Sequence, residues 1–380
     1  MVSILVYVYM LLLVGFTRGT TWSTSNRVVT HEGRPLVIKG VAMNGIESDC
    51  RVPLGLDRRP LSWHFDTMKD SGFNAIRLPL SFEVMEDLSL SVLCSQGEFP
   101  PPTPLRSVIQ RYLDEAQARS MFLLLDLHTI GGSITPLPWT WAVDESRVIN
   151  AWVNVVKTFG NHPALMGIEI KNEPHNECST RDFFNHCHRV IEAIERSVPG
   201  FGGLYFISGV QANGAPWGGA FQMDGLSDTT MLSLNTPMER LVLNPHVYGP
   251  SVRGSQALSD GPGMWEQAYG FITHSNTIWN QSAVVVTEWG GRMGYDDLDY
   301  YSGRWMDWHV NQKGFAAGGF YWTFGPFSDD TGGLVDDGYR IIQTKLDTVN
   351  RLDGLSRRVA GLPANPPHPT NRLRGGSSRP

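Results

Sequence analysis

Short runs of apolar residues recur along the chain, separated in its first half by longer stretches in which apolar residues return every three or four positions. The short runs predict β-strands that are covered on both faces. The longer stretches predict amphipathic helices. The predicted strands are residues 35–43, 73–78, 121–127, 165–171, 204–208, 241–246, 283–287 and 318–322, and the predicted helices are residues 61–70, 105–119, 146–159 and 181–196.

Eight such strands alternating with helices predict an α/β fold, a (β/α)8 TIM barrel in a single domain. Parallel strands need long crossover connections and read as continuous apolar runs, whereas the strands of an antiparallel sandwich are joined by short turns. No side-chain pattern recurs with a period of roughly 20–50 residues, which disfavours a solenoid. We place the barrel domain at residues 22–360.

The two ends of the chain differ in composition from this domain. Residues 2–16 carry almost no polar side chain and lead into Thr-Arg-Gly-Thr, which predicts a signal peptide at residues 1–19 and a secreted, extracellular protein. A retained membrane anchor is the alternative, but the apolar stretch is shorter than the ~20 residues that a spanning helix needs. Residues 361–380 mix arginine with proline, glycine and serine, which predicts a disordered tail.

Charge and cysteine content narrow the class of protein. The formal net charge of −6 gives no reason to expect nucleic acid or an anionic membrane as partner. No linker or second globular module is visible, so we expect no separate substrate-binding domain, and we expect a monomer. The four cysteines allow three disulfide pairings in an exported chain, of which Cys178–Cys187 is the simplest because these two are close in sequence. No zinc-type spacing occurs, and the acidic stretch at residues 328–337 lacks the spacing of a calcium loop, so no metal is predicted.

Polar residues stand where the predicted strands end, which is where a barrel of this type carries its active site. They are Arg77, His128, Asn172, Glu173, His246, Tyr248, Glu288 and Trp322. The two glutamates follow the fourth and seventh strands, so they can face each other across the barrel mouth. Hydrolysis of a glycosidic bond needs one protonated and one ionised carboxyl group, and a separation of ~5 Å is typical of a retaining enzyme. The pattern predicts a retaining β-glycosidase that needs no cofactor.

The ordered set of strand-end motifs resembles glycoside hydrolase family 5, the cellulase family of the clan of (β/α)8 retaining glycosidases. The resemblance runs from about residue 35 to residue 338. It depends on Phe73-Asn-Ala-Ile-Arg-Leu-Pro79, Asp126-Leu-His128, Asn172-Glu-Pro174, His246-Val-Tyr248, Thr287-Glu-Trp-Gly290 and Trp322.

The resemblance implies a role for each of these residues. Glu173 matches the catalytic acid/base and Glu288 the nucleophile, which acts through a covalent glycosyl-enzyme. Arg77 matches the arginine that supports the nucleophile, and Asn172 the residue that binds the sugar 2-hydroxyl. The polar ring around the sugar corresponds to His128, His246 and Tyr248, and the aromatic platform beneath it to Trp322.

The sequence indicates the type of reaction more clearly than the substrate. Flat aromatic side chains stack on sugar rings, and Trp139, Trp141 and Trp217 lie in predicted loops at the barrel mouth, so we expect them in the walls of the cleft. The segments at residues 241–250 and 217–219 resemble β-1,4-glucanases, which favours an endo-β-1,4-glucanase that degrades β-glucan polysaccharide or oligosaccharide. The alternatives are an exo-acting enzyme, a β-1,3-glucanase, a β-mannanase, a transglycosylase or a non-catalytic carbohydrate-binding barrel.

Overall fold

A computed structural model of the chain describes residues 21–132, 143–175, 178–211, 215, 217–222, 237–274 and 279–365. Three sequence predictions lie outside these residues: the signal peptide at residues 1–19, the cleft tryptophans Trp139 and Trp141, and all but the first five residues of the tail at 361–380. All the structural statements below concern the described residues.

The core of the fold is a closed barrel of eight parallel strands, as the sequence predicts. Two of the eight strands are interrupted by one residue each, at Pro245 and Val285, so that the sheet consists of ten segments. The last strand, Gly318–Tyr321, pairs with the first, Ile38–Ala42, which closes the ring. The segments are β4 (Ile38–Ala42), β5 (Ala75–Ser81), β6 (Phe122–Thr129), β7 (Leu165–Glu169), β8 (Leu204–Ser208), β9 (Leu241–Asn244), β10 (His246–Tyr248), β11 (Ala283–Val284), β12 (Val286–Gly290) and β13 (Gly318–Tyr321).

Helices surround the barrel and lie between successive strands. The four predicted helices are present within one residue of the predicted bounds. The α-helices are α1 (Leu61–Asp70), α2 (Phe82–Glu86), α3 (Leu105–Ala118), α4 (Glu145–Phe159), α5 (Thr180–Ser197), α6 (Pro250–Arg253), α7 (Pro262–Ala268), α8 (Tyr295–Leu298) and α9 (Gln343–Val359). A π-helical segment, Asp299–Trp305 and Asp307–Gln312, continues α8. None of the helices in the described ranges is long and apolar enough to cross a membrane.

A small antiparallel sheet precedes the barrel and corrects the first predicted strand. It consists of β1 (Trp22–Ser25), β2 (Val28–His31) and β3 (Arg34–Leu36). The prediction of one strand over residues 35–43 was wrong at its start, because Pro35 pairs with Thr30 in this sheet and the barrel strand begins only at Ile38. The apolar pattern could not separate the two strands, since Pro35 and Leu36 of β3 are followed directly by the apolar Val37 and Ile38.

Inward-pointing side chains change from apolar to polar along the barrel axis, and the polar layer marks the position of the candidate site. The lower interior is an apolar cluster that includes Ala75, Leu124, Phe206, Val242 and Val285. Two residues further along each of these strands the inward residue is polar: Arg77, Asp126, Ser208, Asn244 and Thr287, all fully buried. Since side chains alternate in direction along a strand, these polar residues form the next layer up, at the carboxyl ends of the strands.

The disulfide of the chain joins Cys50 to Cys94, and the predicted Cys178–Cys187 pair is wrong. Cys187 lies within helix α5 and Cys178 precedes its first residue, so roughly 10 Å of helix rise separates Thr180 from Cys187. A disulfide requires Cα atoms within ~7 Å, so closeness in sequence is no advantage here. The Cα atoms of Cys50 and Cys94 lie 5.0 Å apart and connect the loop after β4 to the loop after α2.

We expect reduction of the Cys50–Cys94 disulfide to lower the free energy of unfolding by about 2–4 kcal/mol, because the bond closes a loop of 44 residues in the unfolded chain. Denaturant unfolding with and without reductant measures this difference. The variant Cys178→Ala, which removes a free thiol, should respond to reductant as the wild type does. Equal stability of the oxidised and reduced chains would contradict the prediction.

Candidate active site

The polar residues predicted at the strand ends converge at the mouth of the barrel. The described members of that set are all buried or half-buried there, and hydrogen bonds, ion pairs or ring contacts connect them. They are Arg77, His128, Asn172, Glu173, His246, Tyr248, Glu288 and Trp322. The sequence spacing therefore predicted correctly which residues meet, although the residues come from six different strands.

Glu173 and Glu288 face each other closely enough to act on one bond. A carboxylate oxygen of each lies within 4.8 Å of the other and of a ring nitrogen of His246. Glu288 lies on β12 directly opposite His246 of β10 in the parallel register. Glu173 has φ 42°, a left-handed backbone conformation that a glutamate adopts only when its surroundings impose it. The chain thus places two carboxyl groups at the separation typical of a retaining glycosidase.

Two hydrogen-bond donors hold Glu288 in its ionised form. The Nη1 atom of Arg77 donates to Oε1, and the hydroxyl of Tyr248 donates to Oε2 over 2.8 Å. Burial by itself would raise the pKa of Glu288, but the positive charges of His246 and Arg77 outweigh burial, and the pKa is lowered. An ionised, oriented carboxylate of this kind is suited to nucleophilic attack.

Arg77 is in turn fixed by a second carboxylate that the sequence analysis missed. Glu169 accepts from Nε over 2.7 Å and from Nη2 over 2.9 Å, a two-pronged contact. Burial opposes ionisation of Glu169, but the charge of Arg77 dominates and lowers its pKa to about 2. The remaining Arg77 contacts are to Asn172 Oδ1 at 2.8 Å and Asp126 Oδ2 at 2.9 Å. Arg77 is fully buried, so these contacts leave it one orientation.

Glu173 has a different environment, dominated by His246. Its Oε1 lies 2.9 Å from His246 Nδ1, and His246 Nε2 lies 3.1 Å from the hydroxyl of Thr287. Burial lowers the pKa of His246, yet the charge of Glu288 and hydrogen bonds to Glu169 and Glu173 overcome burial and raise it to about 10. His246 is therefore the proton donor in its contact with Glu173, and the contact holds this carboxyl group in place opposite Glu288.

Gly218 is a further site residue that the sequence analysis did not single out. A Cβ atom at this position would lie 3.0 Å from the ring of His246 and 3.1 Å from Cγ of Glu173. The carbonyl of Gly218 accepts a hydrogen bond from the backbone of His246 over 2.8 Å. Only glycine allows the backbone to approach both residues this closely, and its φ of 68° adds to that requirement.

His128 and Trp322 form one wall of the site as a stacked pair. Their ring centroids lie 5.3 Å apart with an angle of 2° between the planes. His128 Nδ1 contacts Asp126 Oδ2 at 2.7 Å, and the charge of Asp126 raises the pKa of His128 against the opposing effect of burial. Trp322 is half-buried, so one part of its ring is open to a ligand.

A second stacked pair lies beside Glu173. The rings of His175 and Trp217 are 4.2 Å apart and nearly parallel, at 7°. His175 Nδ1 donates to the carbonyl of Glu173 over 2.6 Å, so the pair is anchored to the backbone of that glutamate. Trp217 is 39% exposed, unusual for so large an apolar ring, and its free surface is available for stacking.

The missed residues left a trace in the sequence. Glu169 and Asp126 are single acidic residues inside otherwise apolar predicted strands, and a charge in such a strand is costly unless it is paired. That signal indicates a buried partner of opposite charge, and Arg77, inside the predicted strand at residues 73–78, is that partner for both acidic residues. Thr287 and Gly218 gave no comparable signal, because small polar residues and glycines are common at strand ends and in loops.

The chain is similar in sequence to known cellulases. Residues 37–328 match the family model described as cellulase, glycosyl hydrolase family 5. An endoglucanase of Paenibacillus polymyxa is 28% identical over 358 residues, covering 88% of this chain and 87% of that protein. The major extracellular endoglucanase of Xanthomonas campestris pv. campestris is 28% identical over 353 residues, covering 87% of this chain and 71% of that protein.

Solved structures of the same kind share the fold. A variant of an endocellulase from Pyrococcus horikoshii, in complex with cellotetraose, superposes with a TM-score of 0.75 at 26% sequence identity and covers 89% of this chain and 99% of that one. The catalytic domain of the major endoglucanase from Xanthomonas campestris pv. campestris superposes with a TM-score of 0.74 at 26% identity and covers 88% of this chain and 99% of that one. The family match, the barrel and the paired carboxylates agree, and the chain is a glycoside hydrolase that belongs to glycosyl hydrolase family 5, the cellulase family.

Proposed function

We propose that the chain is an endo-β-1,4-glucanase that retains the anomeric configuration, with Glu288 as nucleophile and Glu173 as acid/base. The observation that carries this proposal is the pair of carboxyl groups within 4.8 Å of each other in unlike environments. Glu288 is surrounded by donors that keep it ionised, and Glu173 contacts an imidazole with which it shares a proton.

In the first step Glu288 attacks the anomeric carbon and Glu173 gives its proton to the departing glycosidic oxygen. The bond from the anomeric carbon to Glu288 forms as the bond to the leaving sugar breaks. The carboxylate of Glu288 becomes an ester and loses its negative charge. Arg77 and Tyr248 hold the attacking carboxylate in place. Asn172 directly precedes Glu173 and accepts a hydrogen bond from Arg77. From this position its side chain can also reach the sugar 2-hydroxyl.

In the second step water replaces the leaving sugar. Glu173, now without its proton, accepts one from water as the water oxygen attacks the anomeric carbon, and Glu288 leaves as a carboxylate. The change in charge of Glu288 between the two steps supports this change of role, because an ester no longer stabilises a proton on its neighbour. Two inversions give a product of the original β configuration.

The proposed substrate follows from the aromatic surfaces and from the relatives. Trp322 with His128 offers a face for the sugar that is attacked, and Trp217 with His175 offers a face for the leaving sugar beside Glu173. The similar proteins are named endoglucanases, and the Pyrococcus horikoshii endocellulase was crystallised with cellotetraose. Trp139 and Trp141 remain proposed members of the cleft walls.

We also propose that the protein is exported. The Xanthomonas relative is named as extracellular, and a disulfide such as Cys50–Cys94 persists mainly in oxidising compartments. Residues 1–19 would then be removed as a signal peptide, and mass spectrometry of the protein in culture medium would give the new N-terminus. An intact N-terminus on a cell-associated protein would contradict export.

The test of function compares soluble β-1,4-glucan, mixed-linkage β-glucan, β-1,3-glucan and β-mannan, with reducing ends and viscosity followed together. A rapid fall in viscosity on the β-1,4-linked glucans supports the proposal. Release of sugar without that fall indicates attack from chain ends, and preference for another polymer indicates a different specificity. NMR of the first product of a cello-oligosaccharide tests the stereochemistry: a β-anomer supports retention, and an α-anomer rejects it.

We expect Tyr248→Phe to move the acid limb of the pH profile of kcat/KM upward by about one pH unit. Activity requires ionised Glu288, so it is lost as the pH falls through the pKa of that carboxyl group. The pKa of Glu288 lies below its ordinary value of 4.5, and removing a hydrogen bond to the ionised form raises it. The exposed Tyr295→Phe is the matched control and should leave the limb in place. An unchanged limb in Tyr248→Phe would show that this hydrogen bond does not tune Glu288.

A further inference from the structure

Three side chains at the barrel mouth have the arrangement of a metal site. Oxygen atoms of Glu173 and Glu288 and a ring nitrogen of His246 lie within 4.8 Å of one another, and no other group of three among the described residues has this spacing. His246 Nδ1 lies 2.9 Å from Glu173 Oε1 and 3.5 Å from Glu288 Oε2. One imidazole and two carboxylates are ligands that zinc accepts, and three protein ligands leave a fourth position for water.

Two of the three distances between the ligand atoms are close to those of a zinc site. Tetrahedral zinc with bonds of ~2.0–2.2 Å places its ligand atoms roughly 3.4 Å apart. The distance from His246 Nδ1 to Glu288 Oε2 already has this value, and the distance to Glu173 Oε1 needs to open by about half an ångström. Calcium takes six to eight oxygen ligands at longer distances, and magnesium needs octahedral oxygen, so neither fits this set.

Glu173 and Thr287 orient the imidazole of His246, which is buried between them. Thr287 donates its hydroxyl proton to Glu169 and accepts from Asn244, so the hydroxyl can also accept from Nε2–H of His246. With Nε2–H donating to Thr287, His246 offers Nδ1 to a metal ion that displaces the Nδ1 proton to solvent.

We propose that Glu173, Glu288 and His246 bind one Zn²⁺ ion, or a transition-metal ion of similar size, and that this ion competes with the glycan. The ion is an inhibitor and not a cofactor, since it occupies both carboxylates at once. Glu288 bound to zinc cannot attack the anomeric carbon, and Glu173 bound to zinc cannot protonate the leaving oxygen. Binding of the ion does not depend on the proposed function, whereas competition with the glycan does.

Equilibrium dialysis of the full chain against zinc chloride tests the site without using activity. We expect one zinc ion per chain, with affinity lowered more than about 100-fold in His246→Asn and in Glu288→Gln, because each removes a ligand, and about tenfold in Thr287→Val, which removes only the partner of His246 Nε2. The matched control is His274→Asn, which removes a surface histidine that is paired with Glu266, and it should leave the affinity unchanged. Circular dichroism confirms that each variant is folded.

Kinetics on soluble β-1,4-glucan then test the consequence. Zinc should raise KM and leave kcat unchanged in the wild type. Equal zinc affinity in the wild type, His246→Asn and Glu288→Gln would overturn the site, as would a lack of zinc binding. Zinc binding with the expected dependence in a chain that hydrolyses no glucan would keep the site and reject the proposed function. Glucan hydrolysis that zinc does not inhibit competitively would keep the function and reject the inference.

Discussion

Glu288→Gln is expected to lower kcat on β-1,4-glucan by about 10⁴-fold or more with the fold retained, because the covalent route is lost with the nucleophile. The glutamine side chain has nearly the same shape: its amide oxygen can accept from Arg77 Nη1, and its NH₂ group can donate to the hydroxyl oxygen of Tyr248. Arg77 keeps its two-pronged contact with Glu169, so the buried charge stays paired. The measurement is the initial rate of reducing-end release at saturating substrate.

Two further variants test whether the loss of activity is due to the missing nucleophile. Glu192→Gln, on the exposed side of α5, removes a glutamate of the same kind far from the mouth and should keep wild-type activity. In Glu288→Ala, azide can enter the space of the missing carboxylate and attack the anomeric carbon of an activated glycoside, giving an α-glycosyl azide. Recovery of turnover with that product supports the role of Glu288. Wild-type rates in Glu288→Gln would reject it.

Glu173→Ala is expected to have an effect that depends on the leaving group. Hydrolysis of glucan should slow by about 10²–10⁴-fold, because a sugar alkoxide cannot depart without a proton. An aryl β-cellobioside with an acidic phenol should lose far less in the step that forms the glycosyl-enzyme, since its leaving group needs no proton. Rates on both substrates, with a pre-steady-state burst on the aryl glycoside, separate the two steps.

A distinct outcome would identify a merely structural role for Glu173. Equal losses on glucan and on the aryl glycoside would mean that the substitution disturbs the site as a whole, through His246 or the backbone at φ 42°, and not through a missing proton. Azide, which attacks without a general base, should accelerate the second step in Glu173→Ala and not in the wild type. Unfolding curves of the variant give the control for stability.

The fold was predictable because barrel strands are covered on both faces and therefore stand out as apolar runs. The sequence pattern predicted all eight strands, and at the ends of six of them stand the residues that meet in the barrel mouth. The errors lie where local pattern says little about pairing. The run at residues 35–43 concealed a change of sheet at Ile38, and the helices between β10 and β13, short or π-helical, were not predicted.

The convergence of the strand-end residues was predictable, but their electrostatics were not. Arg77 and Glu288 are 211 positions apart, yet both follow the rule that inward polar residues cluster at the carboxyl ends of barrel strands. Which of two similar glutamates is held ionised depends on donors from other strands. Arg77, Tyr248 and His246 reach these carboxylates only after the barrel closes.

The sequence by itself determined the order of strands, the barrel and the residues that stand at its mouth, because periodicity and strand-end position are local properties. Only the tertiary structure decided the partner of each charge and each thiol: Glu169 beneath Arg77, His246 beside Glu173, and Cys94 opposite Cys50. These pairings connect residues far apart in sequence, and their energies depend on distance and burial, which a one-dimensional pattern does not contain.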